Sequence, residues 1–280
     1  MMARAFSPGH ITGFFEICLS DDEEKSGSRG AGLCISLGAM STVEIGGNAT
    51  EVIVNGKKGG KVTETALNML TKKGVKANVN LELPQSQGFG MSGAGTLATA
   101  LALSSIVSIS REEAVKAAHT AEVKCSTGLG DVVSSALGGI EIREEPGFNG
   151  KISRIEGGGD IVISVTGGAI ETKSILKDEV LGNKISEIGR ECMHEILAHP
   201  TIENLFFLSK KFSEETGLIN AKTKKAVDEA CKYGMASMCM LGNSIFAVGN
   251  TKEIARALSK YGKVYTCRID KKEARILGNG

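Results

Sequence analysis

The sequence predicts a two-lobed α+β fold, divided near residue 160. Segments with the alternating pattern of half-buried strands occur together with segments of helical periodicity along the chain. A chain of 280 residues is long enough for two domains. Glycine is concentrated in residues 1–168, which hold 27 of the 36 glycines, and helical segments dominate the remainder. We therefore expect one domain over residues 1–160 and a second over 161–280.

The first domain is expected to begin with strands and to continue with helices. Apolar or alternating segments bounded by polar turns predict strands at Phe14–Leu19, Ala31–Leu37, Met40–Ile45, Glu51–Val54 and Val79–Leu83, with a polar turn over Asp21–Gly30. Helical spacing or runs of small residues predict helices at Val62–Lys73, Thr96–Val107 and Asp131–Leu137. Ser110, followed three residues later by Glu113, forms a capping-box pattern that opens a further helix to about Lys124.

The second domain is expected to be richer in helices. Its predicted helices are Lys184–Ala198, Ile202–Glu215, Ala221–Lys232 and Lys252–Tyr261. Its predicted strands are Ile161–Val165, Met238–Leu241, Ile245–Val248 and Lys263–Ile269. The two central strands are expected to pair as a hairpin around Gly242–Asn243.

Composition excludes several classes of protein. The 33 basic and 32 acidic residues nearly cancel, and aromatic residues are scarce, so a general nucleic-acid binder is not expected. No apolar run is long enough to cross a membrane, and the N-terminus lacks the apolar segment of a signal peptide. The seven scattered cysteines form no C-x-x-C pair, which favours reduced thiols and a cytoplasmic protein.

The segment Pro84–Gly95 is the most informative motif. It follows a predicted strand, leads into a predicted helix and contains four glycines between Gly88 and Gly95. Glycines allow backbone N–H groups to converge on an anion, and a helix N-terminus adds unpaired donors and a positive dipole end. Ser92 adds a hydroxyl for a phosphate or its metal ion. This pattern favours a phosphate-binding loop over a plain turn.

Two other nucleotide-binding motifs fit less well. Gly88–Gly93 matches G-x-G-x-x-G, but the preceding strand alternates with Asn and Glu, whereas a dinucleotide-binding strand is continuously apolar. The acidic residue expected about 20 positions later would be Glu112 or Glu113, at the start of a helix. Gly59–Val62 lacks the Ser or Thr and the glycine spacing of a P-loop.

Two carboxylates and one histidine are further candidates. Glu122 ends one predicted helix and Asp131 begins the next, and the glycine turn Thr127–Gly130 between them is expected to bring the two carboxylates together. Such a pair beside a phosphate loop suggests a metal ligand and a base, although each fits a solvated or capping residue when taken alone. Near the N-terminus, a Pro-Gly turn presents His10 before a strand.

These motifs, in this order, resemble the kinase superfamily named for galactokinase, homoserine kinase, mevalonate kinase and phosphomevalonate kinase (the GHMP kinases). Its motif P-x-x-x-G-L-G-S-S-A is matched by Pro84, Gly88, Gly90 and Ser92, with Phe89 for Leu and Met91 for the first Ser. The resemblance implies a GHMP-kinase-like fold, with an N-terminal domain of mixed sheet and helices and a C-terminal α+β domain of ferredoxin-like type.

Within the superfamily, the chain resembles the archaeal pantoate kinases. The segments that carry this resemblance are Pro8–Phe15, Gly27–Gly32, Gly88–Gly95, Thr127–Asp131 and Met240–Asn243. It implies phosphorylation of pantoate by ATP to 4-phosphopantoate, on the archaeal route to coenzyme A. It also implies a small-molecule substrate without nucleic-acid or membrane partners, and a homodimer.

The resemblance also implies roles for individual residues. The ATP phosphates would lie on Gly88, Phe89, Gly90, Met91, Ser92, Gly93, Ala94 and Gly95. Ser92 and Glu122 would hold Mg²⁺, and Asp131 would act on the substrate hydroxyl as a base or an electrostatic anchor. Arg29, Ser28 and His10 are the candidates for binding the substrate, with His10 also a candidate catalytic group; Arg29 fits equally well as a solvated loop residue.

Two departures leave questions open. The superfamily usually has Lys where this chain has His10, and a second glycine-rich loop where residues 238–246 contain only Gly242. A GHMP-type kinase for mevalonate, homoserine or a sugar therefore stays an alternative. So does a non-catalytic nucleotide-binding regulator on the same fold.

Overall fold

A computed structural model describes residues 2–170 and 172–279, and within them the α+β class is confirmed. A mixed eight-stranded sheet contains β1 (Met2–Cys18), β2 (Gly27–Ile45), β3 (Glu51–Val54), β4 (Lys57–Lys58), β5 (Val75–Leu81), β6 (Ile140–Arg143), β7 (Ile152–Ile155) and β12 (Arg275–Asn279). An antiparallel four-stranded sheet contains β8 (Asp160–Val165), β9 (Gly234–Met238), β10 (Ser244–Gly249) and β11 (Lys263–Arg268). The helices are α1 (Lys61–Leu70), α2 (Met91–Ser104), α3 (Arg111–Cys125), α4 (Asp131–Leu137), α5 (Thr172–Lys177), α6 (Glu179–Ala198), α7 (Ile202–Glu215), α8 (Ala221–Ala230) and α9 (Thr251–Leu258).

The long antiparallel pair β1–β2 forms the middle of the first sheet. It runs from Met2 opposite Glu44 to Cys18 opposite Gly27, and the register shifts beyond Pro8. The prediction of two strands and a turn reaching Gly30 was wrong here, because β2 is continuous. A Cβ on Gly38 would lie 2.1 Å from Ser7 O, so glycine lets the two backbones stay close where the register shifts and the strand does not end.

Helix α2 packs against β1 and β2. Its first turn is formed by the last residues of the glycine-rich segment, from Met91 to Gly95. The helix begins at Met91, five residues earlier than predicted, because Gly93 and Gly95 lie inside the helix. A Cβ on Gly95 would lie 3.1 Å from Val79 Cγ1, and one on Gly93 would lie 3.2 Å from Val132 Cγ2. Close packing of the helix therefore outweighs the low helix propensity of glycine.

The second sheet has the order β11-β8-β10-β9, with helices connecting β8 to β9 and β10 to β11. This is the β-α-β-β-α-β arrangement of ferredoxin-like domains, as the family resemblance implies. The capping box at Ser110 is present, and so is a hairpin, but its first strand is Gly234–Met238 and ends where the predicted strand Met238–Leu241 was to begin.

Several elements escaped prediction from sequence: β4, β6, β7, β12 and α5. The strand β12 is the most consequential, because it returns from the second half of the chain to pair with β1, with Ala3 opposite Asn279. The proposed domain boundary at residue 160 stays a prediction. None of the helices in the described residues has the length and apolar character needed to span a bilayer.

Candidate active site

The glycine-rich segment forms the turn between β5 and α2, at the wall of a cavity of about 470 Å³. Gly88 and Gly90 adopt left-handed φ values of +74° and +61°, which a residue with a Cβ rarely reaches. Gly90 is the N-cap residue of α2, so the first N–H groups of the helix have no acceptor within the helix. A cavity of this size is typical of small-molecule sites, and its donors suit an anionic group.

Residues 239–243, which join β9 to β10, and Ser244 at the start of β10 lie against the phosphate loop. Ser244 Oγ donates a hydrogen bond to Gln87 O, and Met240 N donates to Thr12 O over 3.0 Å. A Cβ on Gly242 would lie 2.0 Å from the carbonyl carbon of Gln87. The one glycine of this segment is therefore needed for close packing against the loop, which answers the question that the sequence left open for these residues.

Glu122 lies buried on α3 beside the loop. Ser92 Oγ donates a hydrogen bond of 2.5 Å to its Oε1, and among the described residues its Oε2 has no hydrogen-bond partner. Burial raises the pKa of Glu122 to about 7, the bond from Ser92 opposes this rise and the charge of Asp131 adds to it.

The glycine turn brings Glu122 and Asp131 together, as expected. A Cβ on Gly128 would lie 2.3 Å from Glu122 Oε2 and 3.6 Å from Asp131 Oδ2, so both carboxylates face the space that this glycine leaves open. A cation between them would relieve the repulsion of the two charges.

Asp131 stands at the junction of two cavities. It lines the larger cavity, which contains the phosphate loop, and also a smaller one of about 60 Å³. The smaller cavity is lined by four apolar side chains and three hydroxyl groups, those of Phe15, Leu129, Met240, Leu241, Thr12, Ser28 and Thr127. The Asp131 side chain is 24% exposed, so it can reach a molecule in either cavity.

His10 does not face either cavity. Its side chain is fully buried, with Nδ1 2.7 Å from Asp131 Oδ1 and Nε2 3.0 Å from Glu141 Oε1. Both ring nitrogens are thus engaged by carboxylates. The expectation that His10 binds substrate directly is therefore corrected: it contacts Asp131, and any effect on the reaction passes through that residue.

The two candidates at the start of β2 differ in what they face. Ser28 lines the smaller cavity, as expected of a substrate-binding residue. Arg29 is absent from both cavity walls and is held by two other partners. Its Nη1 donates to Glu16 Oε2 over 2.9 Å and its Nε to Glu144 O over 2.8 Å. Arg29 therefore matches neither expectation: it lines neither cavity, and it is a paired residue of β2 and not a solvated loop residue.

A second arginine, missed in the sequence, lies behind Gly130, a residue that lines the smaller cavity. Arg143 is 1% exposed and forms an ion pair with Glu141 through Nη1, whereas its Nε and Nη2 have no partner among the described residues. A Cβ on Gly130 would lie 2.6 Å from Arg143 Nε and 2.8 Å from Ser28 Oγ. A buried guanidinium with unpaired donors is costly unless an anion or another acceptor compensates it.

The sequence around Glu141 and Arg143 has a recognisable pattern, but that pattern indicates a different environment from the one observed. Ile140–Arg143 alternates apolar and charged residues, which is typical of a strand with one face in water, yet all four residues are buried. Opposite charges two residues apart share one face of a strand, and this spacing was the available hint of a buried pair. Lys61 and Lys173, at the rim of the larger cavity, were also missed.

Comparisons with known proteins identify the family of this chain. Residues 57–139 match the model of the GHMP kinases N terminal domain. The pantoate kinase of Methanocaldococcus jannaschii is 35% identical over 271 residues, which cover 94% of this chain and 99% of the relative. The chain belongs to the pantoate kinase family. The pantoate kinase of Thermococcus kodakarensis is 33% identical over 92% of this chain and 91% of the relative.

Solved structures place this family member in the GHMP kinase fold. A structure described as a phosphotransferase related to the CoA biosynthesis pathway has a TM-score of 0.90 at 30% identity, covering 100% of this chain and 99% of its own. The mevalonate kinase of Methanococcus jannaschii has a TM-score of 0.65 at 19% identity, over 96% and 98% of the two chains. The latter likeness shows the fold alone. The superfamily resemblance read from the motifs is confirmed, and the chain is an ATP-dependent small-molecule kinase.

Proposed function

We propose that this pantoate kinase family member transfers the γ-phosphoryl group of ATP to the primary hydroxyl of pantoate, giving 4-phosphopantoate and ADP. The position of Asp131 at the junction of two cavities supports this most directly. The larger cavity, with its phosphate loop, suits the nucleotide. The smaller has apolar walls for the gem-dimethyl group of pantoate and hydroxyl groups for its polar end.

The chemical step needs little from the protein beyond position and charge. The hydroxyl oxygen attacks the γ-phosphorus while the bond from that phosphorus to the β–γ bridging oxygen breaks, and ADP leaves with the electron pair. The hydroxyl proton passes to Asp131, whose carboxylate also orients the attacking oxygen. The backbone donors from Gly88 to Gly95 hold the phosphate chain and disperse its charge.

The residues around Glu122 suit Mg²⁺. A buried carboxylate oxygen without a partner and an adjacent hydroxyl are hard oxygen ligands, and Mg²⁺ commonly takes one or two carboxylates and completes its shell with phosphates and water. Ser92 and Glu122 would hold the ion, which would neutralise charge on the ATP phosphates.

For the carboxylate of pantoate, the proposal assigns Ser28 and Arg143 in place of Arg29 and His10. Arg143, like Arg29 and His10, lines neither cavity, but its two unpaired guanidinium nitrogens lie directly behind Gly130, and Ser28 offers a hydroxyl at the cavity wall. A guanidinium binds a carboxylate through two parallel hydrogen bonds. The carboxylate and the reacting hydroxyl would then lie on opposite sides of Gly130 and Asp131.

The activity is tested with purified protein, Mg-ATP and a panel of alcohols. With pantoate, the enzyme should release ADP and form a phosphate monoester. With pantothenate, mevalonate, homoserine or galactose it should do neither. Asp131→Asn, with folding checked by circular dichroism, should lower kcat by about 10²- to 10⁴-fold, the usual worth of a general base. Turnover near the parent value would remove the base assignment and leave an anchoring role.

The other outcomes of the panel select the alternatives. ADP release with mevalonate, homoserine or galactose and not with pantoate would make the protein a GHMP-type kinase for that alcohol. Nucleotide binding without turnover of any alcohol would favour a regulator. The expectations of a homodimer and of a cytoplasmic location stay predictions.

Substrate recognition is tested by comparing the two arginines. Arg143→Gln should raise the KM for pantoate by 10-fold or more, because a charged hydrogen bond is worth about 1.5–3 kcal/mol, and should leave the KM for ATP within about twofold. Arg29→Ala is the matched control and should change neither value by more than about threefold. A large rise in the pantoate KM for Arg29→Ala alone would restore the original assignment.

A further inference from the structure

A buried cluster of four charged or ionisable side chains lies behind the reacting carboxylate. His10 on β1 sits between Asp131 on α4 and Glu141 on β6, and Arg143 pairs with the same Glu141 oxygen. His10, Glu141 and Arg143 are each at most 1% exposed. Water therefore cannot screen these charges, and the cluster must satisfy itself.

The hydrogen-bond geometry fixes the protonation of the ring. An ionised carboxylate only accepts hydrogen bonds, so a nitrogen within bonding distance of it must donate. His10 has Nδ1 2.7 Å from Asp131 Oδ1 and Nε2 3.0 Å from Glu141 Oε1. A neutral imidazole carries one N–H, and it would leave one nitrogen lone pair facing a carboxylate lone pair. Two protons on the ring satisfy both contacts.

The charge balance agrees with a protonated ring. Arg143 and a protonated His10 carry two positive charges against the two negative charges of Glu141 and Asp131. Burial opposes the charged ring, but the attraction of Glu141 and the hydrogen bonds that the ring donates to both carboxylates outweigh it and raise the pKa of His10. Burial likewise opposes the charge of Glu141, and His10 and Arg143 hold its pKa below the usual value.

The remaining ionisable groups near this cluster do not upset the balance. Cys34 lies opposite His10 on β2, and burial raises its thiol pKa well above the usual value, so it is neutral. Asp270 acts on Cys34 from the segment after β11, and Glu122 acts on Asp131 from α3. Neither of these two carboxylates has a hydrogen bond to the His10 ring among the described residues.

We infer that His10 is a positioning residue whose ring carries both protons, clamped by Glu141, and that its imidazolium fixes the Asp131 carboxylate with one oxygen turned to the acceptor. Because Nδ1 binds Oδ1, the second oxygen of Asp131 is left for the substrate hydroxyl. The role in turnover rests on the proposed kinase function, whereas the protonation state of the ring does not.

The protonation state is measured on the ligand-free protein by two-dimensional NMR of the histidine ring nitrogens. The signals that vanish in His10→Gln belong to His10, and at pH 7.5 both of its nitrogens should carry protons. His119 is the internal control, since its buried Nε2 donates to Ser26 O and burial lowers its pKa, so it should show one protonated nitrogen. A His10 ring with one bare nitrogen at pH 7.5 would overturn the inference even in an active kinase.

The role of the clamp is measured by the pH dependence of kcat. His10 loses its proton as the pH rises through its raised pKa, so turnover should fall on the alkaline side. Glu141→Gln keeps an acceptor for Nε2 but removes the charge, which lowers the His10 pKa, so the alkaline limb should move down by about one pH unit or more. The exposed Glu273→Gln should leave the limb in place; an unmoved limb in folded Glu141→Gln would contradict the clamp.

A third comparison separates positioning from binding. His10→Gln should lower kcat by about 10- to 100-fold, the worth of a hydrogen bond to a charged group, and should leave the KM for ATP within about twofold. His10→Lys, which keeps the positive charge, should recover part of the loss. The exposed His194→Gln should match the parent protein. Equal kcat values for His10→Gln and the parent would contradict the role.

Discussion

At the scale of single residues, the site holds a carboxylate in a place that disfavours its charge. Glu122 is 2% exposed, and burial raises its pKa to about 7. Between about pH 4.5 and 7, the Glu122 carboxyl is protonated in the folded, ligand-free protein and ionised in the unfolded chain. Unfolding therefore becomes easier as the pH rises through that window, and the residue costs stability where the enzyme needs its charge.

Replacing Glu122 should accordingly stabilise the protein while removing its activity. In EDTA at pH 8, Glu122→Gln should raise the free energy of unfolding by roughly 1–3 kcal/mol, and near pH 4.5 the difference should vanish because both side chains are neutral. Thermal unfolding of parent and variant at the two pH values measures this. ADP release from Mg-ATP and pantoate should be lost.

The matched control is Glu112→Gln, an exposed position on the same helix. It should change the unfolding free energy little, and equally at both pH values. If Glu122→Gln lost stability to the same extent at pH 4.5 and pH 8, the ionised carboxylate would be held more favourably than its burial indicates.

Sequence patterns predicted the loop and the two carboxylates as site residues, because each belongs to a local motif whose spacing indicates its chemistry, whereas Ser28 was predicted from the family resemblance. They did not locate Glu141 and Arg143, because nothing in an alternating strand tells which face is turned inward. The environment of His10 was also hidden, since its partners lie 121 and 131 residues away along the chain.

At the scale of elements, the phosphate loop depends on a support from the second sheet. The segment between β9 and β10 meets the loop backbone at Gly242, and Ser244 ties it to Gln87. The glycines make the loop backbone flexible, and the contacts of Gly242 and Ser244 with Gln87 hold it in one conformation. We expect this to keep the N–H donors of the loop directed toward a bound phosphate. Local periodicity predicted the hairpin but could not predict what its turn touches.

Gly242→Ala should therefore act on nucleotide binding. The added Cβ would lie 2.0 Å from the Gln87 carbonyl carbon, which forces the loop to move, so the KM for ATP should rise by about 10-fold or more while the pantoate KM changes less. Steady-state kinetics with each substrate varied in turn measures the split.

Gly168→Ala is the control for this change. It lies in the neighbouring segment, accepts a hydrogen bond from Asn243 through its backbone, and has no atom within 4 Å of an added Cβ. Its kinetics should match the parent. An unchanged ATP KM in Gly242→Ala would show that the loop keeps its shape without this contact.

At the scale of the whole molecule, the class and most helices follow from periodicity, whereas the ferredoxin-like type of the second sheet was expected from the family resemblance. The continuous β1–β2 pair followed from neither, because glycines that end a strand in isolation here permit two backbones to approach. The return of β12 to β1 joins residues from opposite halves of the chain, and no local pattern encodes such a pairing.

That pairing has a consequence for how the chain can be cut and rejoined. Because β12 lies beside β1 in antiparallel register, the two ends of the described chain are neighbours on one sheet edge. A short linker would connect them, and the exposed turn at Gly46–Gly47 offers a place for new termini, so a circular permutant is a natural form of this fold. During synthesis on the ribosome, the side of β1 that pairs with β12 stays unpaired until β12 has emerged.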